Sequence, residues 1–179
     1  MTIAFLCDEV VRAQLQRDGE DPARLPALYT DVINRIVKDR PANMSVTIHT
    51  CRGNHSSMWM ASGGYDAVAE TVFGGLQLDG IFLEYDTERA GGFEPLRFVR
   101  KGMRVVLGLV STKTGVLESK DALKRRIDEA AKYVPLENLC LSPQCGFAST
   151  EGGNKLSEDE ERRKLALVVE VAREVWGEG

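Results

Sequence analysis

The sequence predicts an α/β fold in which four parallel strands form one sheet under a cover of helices. Three observations carry that expectation. Strand-like and helix-like patterns alternate four times along the 179 residues, the order expected of βα units and a parallel sheet. Residues 104–110, RVVLGLV, form a nearly unbroken apolar run, as strands buried on both faces do. Three strand-like segments, MSVTIHTC, GIFLEYD and LCLSPQCG, each end on side chains able to do chemistry, which is where parallel α/β proteins place their sites.

The first helix is expected after Asp21 and Pro22, an N-cap and first-turn pair, with Leu25, Leu28, Val32 and Ile36 at helical spacing and an end near Pro41. Residues 44–49 are a short β-branched run and make the first strand. After a loop containing Gly and Ser, Val68, Ala69, Val72, Phe73 and Leu76 form the next helical stripe, and the second strand runs from Gly80 to Glu84. A loop with Gly91 and Gly92 leads to a short helix around Pro95, and residues 104–110 are the third strand. Leu123, Ile127, Ala130, Ala131 and Val134 mark an amphipathic helix with Ser119 as its N-cap. The fourth strand begins at Leu139. The last helix opens with a capping box, Ser157 and Glu160, and its buried stripe is expected to be Leu165, Val168, Val169, Ala172 and Val175. No internal repeat, low-complexity segment or linker-like boundary interrupts this order, so residues 1–179 read as one domain.

Composition narrows the function classes. A hydrophobic content of 43% over 179 residues supports a sizeable core. A net charge of −4 and a pI near 5.3 argue against nucleic acid or an anionic membrane as partner. The opening MTIAFLCDEVV has a short apolar run and no basic stretch, unlike a secretory signal, and no segment approaches the roughly 20 apolar residues of a membrane span. Four cysteines in such a chain fit a reducing compartment. A cytoplasmic location is the expectation.

His49 and Cys51 stand two residues apart at a strand end, and residues i and i+2 of a strand share a face about 6.6 to 6.8 Å apart. Their imidazole and thiolate can reach one ion between them. Zinc takes four ligands from Cys, His and carboxylate, and Glu84 and Cys145, each at the end of a later strand, are candidates to complete the shell. Four such residues scattered over about a hundred positions are usually unrelated.

VTIHTC, then IFLEYD, then LSPQCG is similar to the C-terminal half of the cobalamin-independent methionine synthase family over essentially the whole chain. The resemblance implies a zinc ion held by His49, Cys51, Glu84 and Cys145. It further implies the C-terminal half of a TIM (β/α)8 barrel, because the chain is too short for the roughly 250 residues of a complete one and matches only the last four βα units. The N-terminal half, with its part of the homocysteine and folate contacts, has no counterpart here; the chain is either shortened or a half barrel that has become a protein of its own. CRGN after the H-x-C and LCLSPQCGFAST look more like the shorter family members than the long two-barrel enzymes.

The implied activity is zinc-dependent S-methyl transfer to homocysteine, giving methionine. Zinc with one neutral His, two thiolates and one carboxylate carries a formal charge of −1, so an added substrate thiolate keeps its nucleophilicity, and metal coordination lets that thiolate form near neutral pH. Glu84 is the ligand expected to loosen when the thiol enters. The methyl donor is methyltetrahydrofolate or, in the related corrinoid-linked thiol methyltransferases, a corrinoid protein. A non-catalytic half-barrel binding module is the alternative of a different class. Open strand edges predict a homo-oligomer.

Arg52, His55 and Asp86 are weaker candidates for substrate contact: Arg52 through a bidentate fork, His55 from the loop CRGNHSSMW, Asp86 from its place two residues past Glu84. Each also reads as an ordinary solvated loop or turn residue. Lys113 lies in LVSTKTGVLES, where the long enzymes carry a histidine proton donor. The resemblance therefore gives Lys113 a catalytic place but departs from the family in chemistry, while a plain loop lysine is the simpler account. Cys7 and Cys140 read as small core residues.

Overall fold

A computed structural model describes residues 3–149 and 151–177. Its strands are β1 (Thr47–Thr50), β2 (Asn54–His55), β3 (Met58–Trp59), β4 (Gly80–Glu84), β5 (Arg104–Val110) and β6 (Leu139–Pro143). Its α-helices are α1 (Glu9–Arg17), α2 (Leu25–Val37), α3 (Ala69–Gly75), α4 (Lys120–Ala130) and α5 (Glu158–Trp176). Strands β1, β4, β5 and β6 pair in that order, all parallel. β2 and β3 form a separate antiparallel hairpin.

The parallel register sorts side chains by face. Ile81, Val105 and Leu139 align in one row and Leu83, Leu107 and Leu141 in the next; all but Leu141 are fully buried against the helices. The alternate row, His49, Phe82, Val106 and Cys140, faces the opposite side, where His49 is exposed and the other three half-buried. Cys140 is therefore on the open face of the sheet and not in the core; Cys7 is buried.

Helices α3 and α4 behave as their patterns predict. Val72 and Phe73 of α3 and Leu123, Ile127 and Ala130 of α4 are buried, and the Ser119 hydroxyl accepts from Ala122 N at 3.1 Å. The capping box of α5 is present, with Ser157 and Glu160 bonded reciprocally.

The faces of α2 and α5 differ from expectation. α2 carries two apolar rows at i+4 spacing, and the core takes Leu25, Tyr29, Ile33 and Val37 while Leu28, Val32 and Ile36 are 53%, 44% and 76% exposed. Periodicity alone cannot choose between two adjacent rows. Asp21 caps only the turn before the helix, accepting from Ala23 N; α2 starts at Leu25, its N-cap Arg24 making no side-chain cap bond, with Pro26 in the first turn. On α5 the buried residues are Lys164, Leu167 and Val171; Val168 and Val175 of the expected stripe do pack against the core, but Leu165 and Val169 are exposed. Lys164 selects that face because its Nζ donates to Val116 O and pairs with Glu118. α1 leaves no stripe to read, since none of its residues is buried; Asp8 caps it through Val10 N and Val11 N. The β2–β3 hairpin turns on Ser56 and Ser57, both at positive φ, as a two-residue type I′ connection requires.

Candidate metal centre

His49 and Cys51 come from the end of β1, and Cys145 follows β6 at the opposite edge of the sheet. The structure nevertheless brings one donor atom of each within 4.8 Å of the others. Cys51 Sγ lies 3.0 Å from Cys145 Sγ, and Cys145 Sγ 3.8 Å from His49 Nε2. Tetrahedral coordination with zinc bond lengths spaces such donors about 3.6 to 3.8 Å apart, so the set fits a zinc-type ion once the two sulfurs separate by under about 1 Å. The thiols share a proton. The hydrogen bond with Cys145 holds Cys51 down at about 4 against the effect of burial, helped by His49 and Gly53 N. Cys145 is pushed up, first by that same bond and then by burial.

Glu84 ends β4 with its side chain buried, but it is not a member of the His/Cys/Cys cluster. Its Oε2 accepts from Arg52 N at 2.7 Å. Burial pushes its pKa up, opposed by that N–H and by the charge of Lys113. The strand ends are tied by Tyr65, whose hydroxyl donates to Thr50 O and accepts from Glu84 N; burial pushes this phenol up to about 12.

Arg52 does not offer its fork to a ligand. It is 1% exposed, donates to Gly63 O, Glu84 O and Ala90 O, and stacks 4.2 Å from the Tyr65 ring centroid. A guanidinium has enough donors to bind three loops at once. Arg52 is a clasp between loops.

Lys113, expected in an ordinary loop, is 3% exposed. Its Nζ is 3.3 Å from Asp86 Oδ2 and 3.6 Å from Glu84 Oε1, donates to Gln144 Oε1, and sits 5.1 Å from the Trp59 ring centroid. Asp86, expected near substrate, has its side chain buried on Lys113, and its Oδ1 has no hydrogen-bond partner. Gln144 Nε2 donates to Cys145 Sγ. Gly108 permits this packing: a Cβ there would meet Gln144 Cα at 2.9 Å and Leu83 O at 3.0 Å.

The hairpin closes over one side. Ser56 N donates to Ser149 Oγ and Lys155 N to Ser57 Oγ, while Asn154 donates to Thr112 O and Gly146 O. His55 is exposed on the hairpin and outside the cluster. Gln144, Tyr65 and Asn154 escape sequence reasoning; only Gln144 had a signal, its place inside the SPQCG run.

The family model for the catalytic domain of cobalamin-independent synthases matches residues 23–174. The chain belongs to the cobalamin-independent methionine synthase family. Among curated relatives of this family chain, the uncharacterized Bacillus subtilis (strain 168) proteins YxjH and YxjG are each 57% identical, over 94% and 96% of this chain but only 44% and 46% of their own lengths. The chain thus spans about half the length of those relatives. Its fold matches a Listeria monocytogenes protein assigned to the vitamin-B12-independent methionine synthases, with 44% identity, a TM-score of 0.69, and coverage of 89% of this chain and 44% of that one. A Shewanella sp. W3-18-1 B12-independent methionine synthase in complex with selenomethionine shares the fold at 20% identity and a TM-score of 0.63, over 84% of this chain and 46% of that chain. Four parallel strands with their helices therefore correspond to half of a TIM barrel. Among the described residues no helix is long and apolar enough to cross a membrane.

Proposed function

We propose that this chain is the metal-binding half of a methionine-synthase-type barrel, its last four βα units, and that it binds homocysteine through zinc. His49, Cys51 and Cys145 hold the ion, with Glu84 as the fourth and weakest ligand. The observation that carries the reading is the convergence of one imidazole and two thiols, from positions 94 and 96 residues apart, into a single cluster. When bound, zinc supplies the Lewis acidity that lets a substrate thiol lose its proton near neutral pH. The residues do the rest: Cys51 and Cys145 keep the site electron-rich, and Glu84 is able to give up its position because Arg52 N already offers it another partner. A Shewanella relative crystallised with selenomethionine, an analogue of the product this reading requires, supports the assignment.

The burial of Lys113 favours one reading of the donor over another. Methyl transfer from methyltetrahydrofolate needs a proton at the departing nitrogen, whereas a corrinoid leaves as its reduced cobalt form without one. Lys113 is engaged by two carboxylates and an amide, which supports a corrinoid protein as second candidate donor. In either case the site needs the other half of the barrel to orient homocysteine and the donor, and a homo-oligomer is part of the reading.

Elemental analysis of the purified chain tests the metal directly. One zinc per chain is expected, lost in Cys51→Ser and in Cys145→Ser and retained in Cys140→Ser. Equal loss in all three variants would mean the ligands are misassigned.

A further inference from the structure

Lys113 has no task in the metal shell just proposed, and the inference here rests on that shell. Its ammonium touches Glu84 directly, at 3.6 Å, and reaches Cys145 through one amide, since Gln144 accepts from Lys113 and donates to Cys145 Sγ. Both oxygens of Glu84 are thereby engaged outside the His/Cys/Cys cluster: Oε2 by Arg52 N and Oε1 by Lys113. Lys113 donates to Asp86 and Gln144 and forms an ion pair with Glu84, so its ammonium is engaged on three sides.

Neutralising a single buried carboxylate needs only one cation, yet this cluster sets two carboxylates around Lys113. Asp86 is the second, held at 3.3 Å with its other oxygen unpartnered. A buried cation stripped of its only counter-ion is strongly destabilising. With Asp86 in place, Glu84 can leave Lys113 without stranding the charge.

We propose that Lys113 is a positioning residue that gives Glu84 a berth off the metal, with Asp86 as its standing counter-ion and Gln144 as its link to Cys145. The berth makes the carboxylate displaceable, so that an incoming homocysteine thiol competes with a weakly held ligand. Outer partners of this kind change metal-site affinities by about 10- to 100-fold when lost.

The test uses the 179-residue chain loaded with Co(II), whose visible bands report ligand changes, titrated with homocysteine. Lys113→Met combined with Asp86→Asn, which leaves no unpaired Asp86 charge, is expected to keep one Co(II) per chain while thiol affinity falls about tenfold or more. Adding Glu84→Gln should abolish that difference, because the competing carboxylate is gone. Asp86→Asn alone, isosteric and with Lys113 retained, should act in the opposite direction: Lys113 grips Glu84 harder, and thiol affinity rises. Unchanged thiol affinity in the Lys113→Met/Asp86→Asn chain overturns the inference, as does a loss that persists undiminished after Glu84→Gln. Should that chain fail to fold by circular dichroism, the Asp86→Asn result decides alone, and a fall or no change in its thiol affinity refutes the berth. A wild-type chain that takes up no Co(II) overturns the metal reading and this inference together; one that binds Co(II) and thiol while its variants match it overturns only the inference.

Discussion

The centre of the sheet and its two flanks are finished to different degrees. Under β4 and β5, the helices α3 and α4 each turn one apolar face inward, and Val72, Phe73, Ile81, Leu107 and Ile127 have no exposed surface to speak of. The flanking helices α2 and α5 each carry a second apolar row pointing out, with Leu28, Val32 and Ile36 on one and Leu165 and Val169 on the other. Their strands, β1 and β6, each have a single partner in the sheet. The site divides along the same line. Glu84 and Lys113 follow or end central strands, whereas His49, Cys51 and Cys145 belong to the two edges. The inner charges therefore depend on a closed core, and the thiol and imidazole donors on how the edges are held.

Truncating the centre should cost most. Phe73→Ala is expected to lose about 3 to 5 kcal/mol, whereas Ile36→Ala on the outer row of α2 should stay within about 0.5 kcal/mol. Urea denaturation of both variants checks the contrast; equal losses would show that the flank is as enclosed as the centre. Arg52→Ala comes next. It strips three carbonyls of their donor and unpairs the Tyr65 stack, a loss of about 3 kcal/mol for removing a buried, hydrogen-bonded cation. The same denaturation series reads it, and a loss below 1 kcal/mol would mean the clasp is idle.

How far the sequence reveals this division follows from the physics of each part. The limits of β4 and β5 could be read residue for residue, since continuous apolar runs bounded by Gly and charge admit one register. The motif segments around His49, Cys51, Glu84 and Cys145 were visible as strand ends, and three of the four side chains meet. The outward row of α2 was mistaken for the inward one because both rows repeat at the same spacing. The burial of Arg52, Lys113 and Asp86 was illegible: a charge after a strand looks solvated until one knows which loops close over it. Gln144 had no signature beyond its neighbour Cys145.

The flanks offer smaller effects. If the outer row of α2 joins a second copy, Val32→Glu with Ile36→Glu should weaken self-association by about 2 kcal/mol or more, from the aliphatic burial forgone, and analytical ultracentrifugation should shift toward monomer. A wild-type chain that sediments as a monomer at micromolar concentration would refute the homo-oligomer. Asp8 gives a smaller effect still, with a pH signature. Burial raises its carboxyl, but the N–H groups of Ser62, Val11 and Val10 outweigh that and hold it below its ordinary value. Its contribution is therefore present above the unfolded pKa near 3.8 and disappears as pH falls through the lower folded value. Asp8→Ala should cost about 1 kcal/mol at pH 7, the worth of an N-cap, and the gap to wild type should close in acid. A gap unchanged between pH 7 and pH 2 would remove the ionised carboxylate from the account.

The 3.0 Å approach of Cys51 to Cys145 joins positions 94 residues apart. Any ion gripping both becomes a cross-link around most of the sheet, and closing a loop of about 100 residues removes on the order of 4 to 5 kcal/mol of entropy from the unfolded chain. His49 and Cys51 are neighbours in sequence, whereas Cys145 is brought beside them by the folded sheet β1-β4-β5-β6. Full coordination would then be a record that the chain has completed its topology, and a chelator would act on the metal-loaded chain as a denaturant whose strength is set by the length of chain it unlocks.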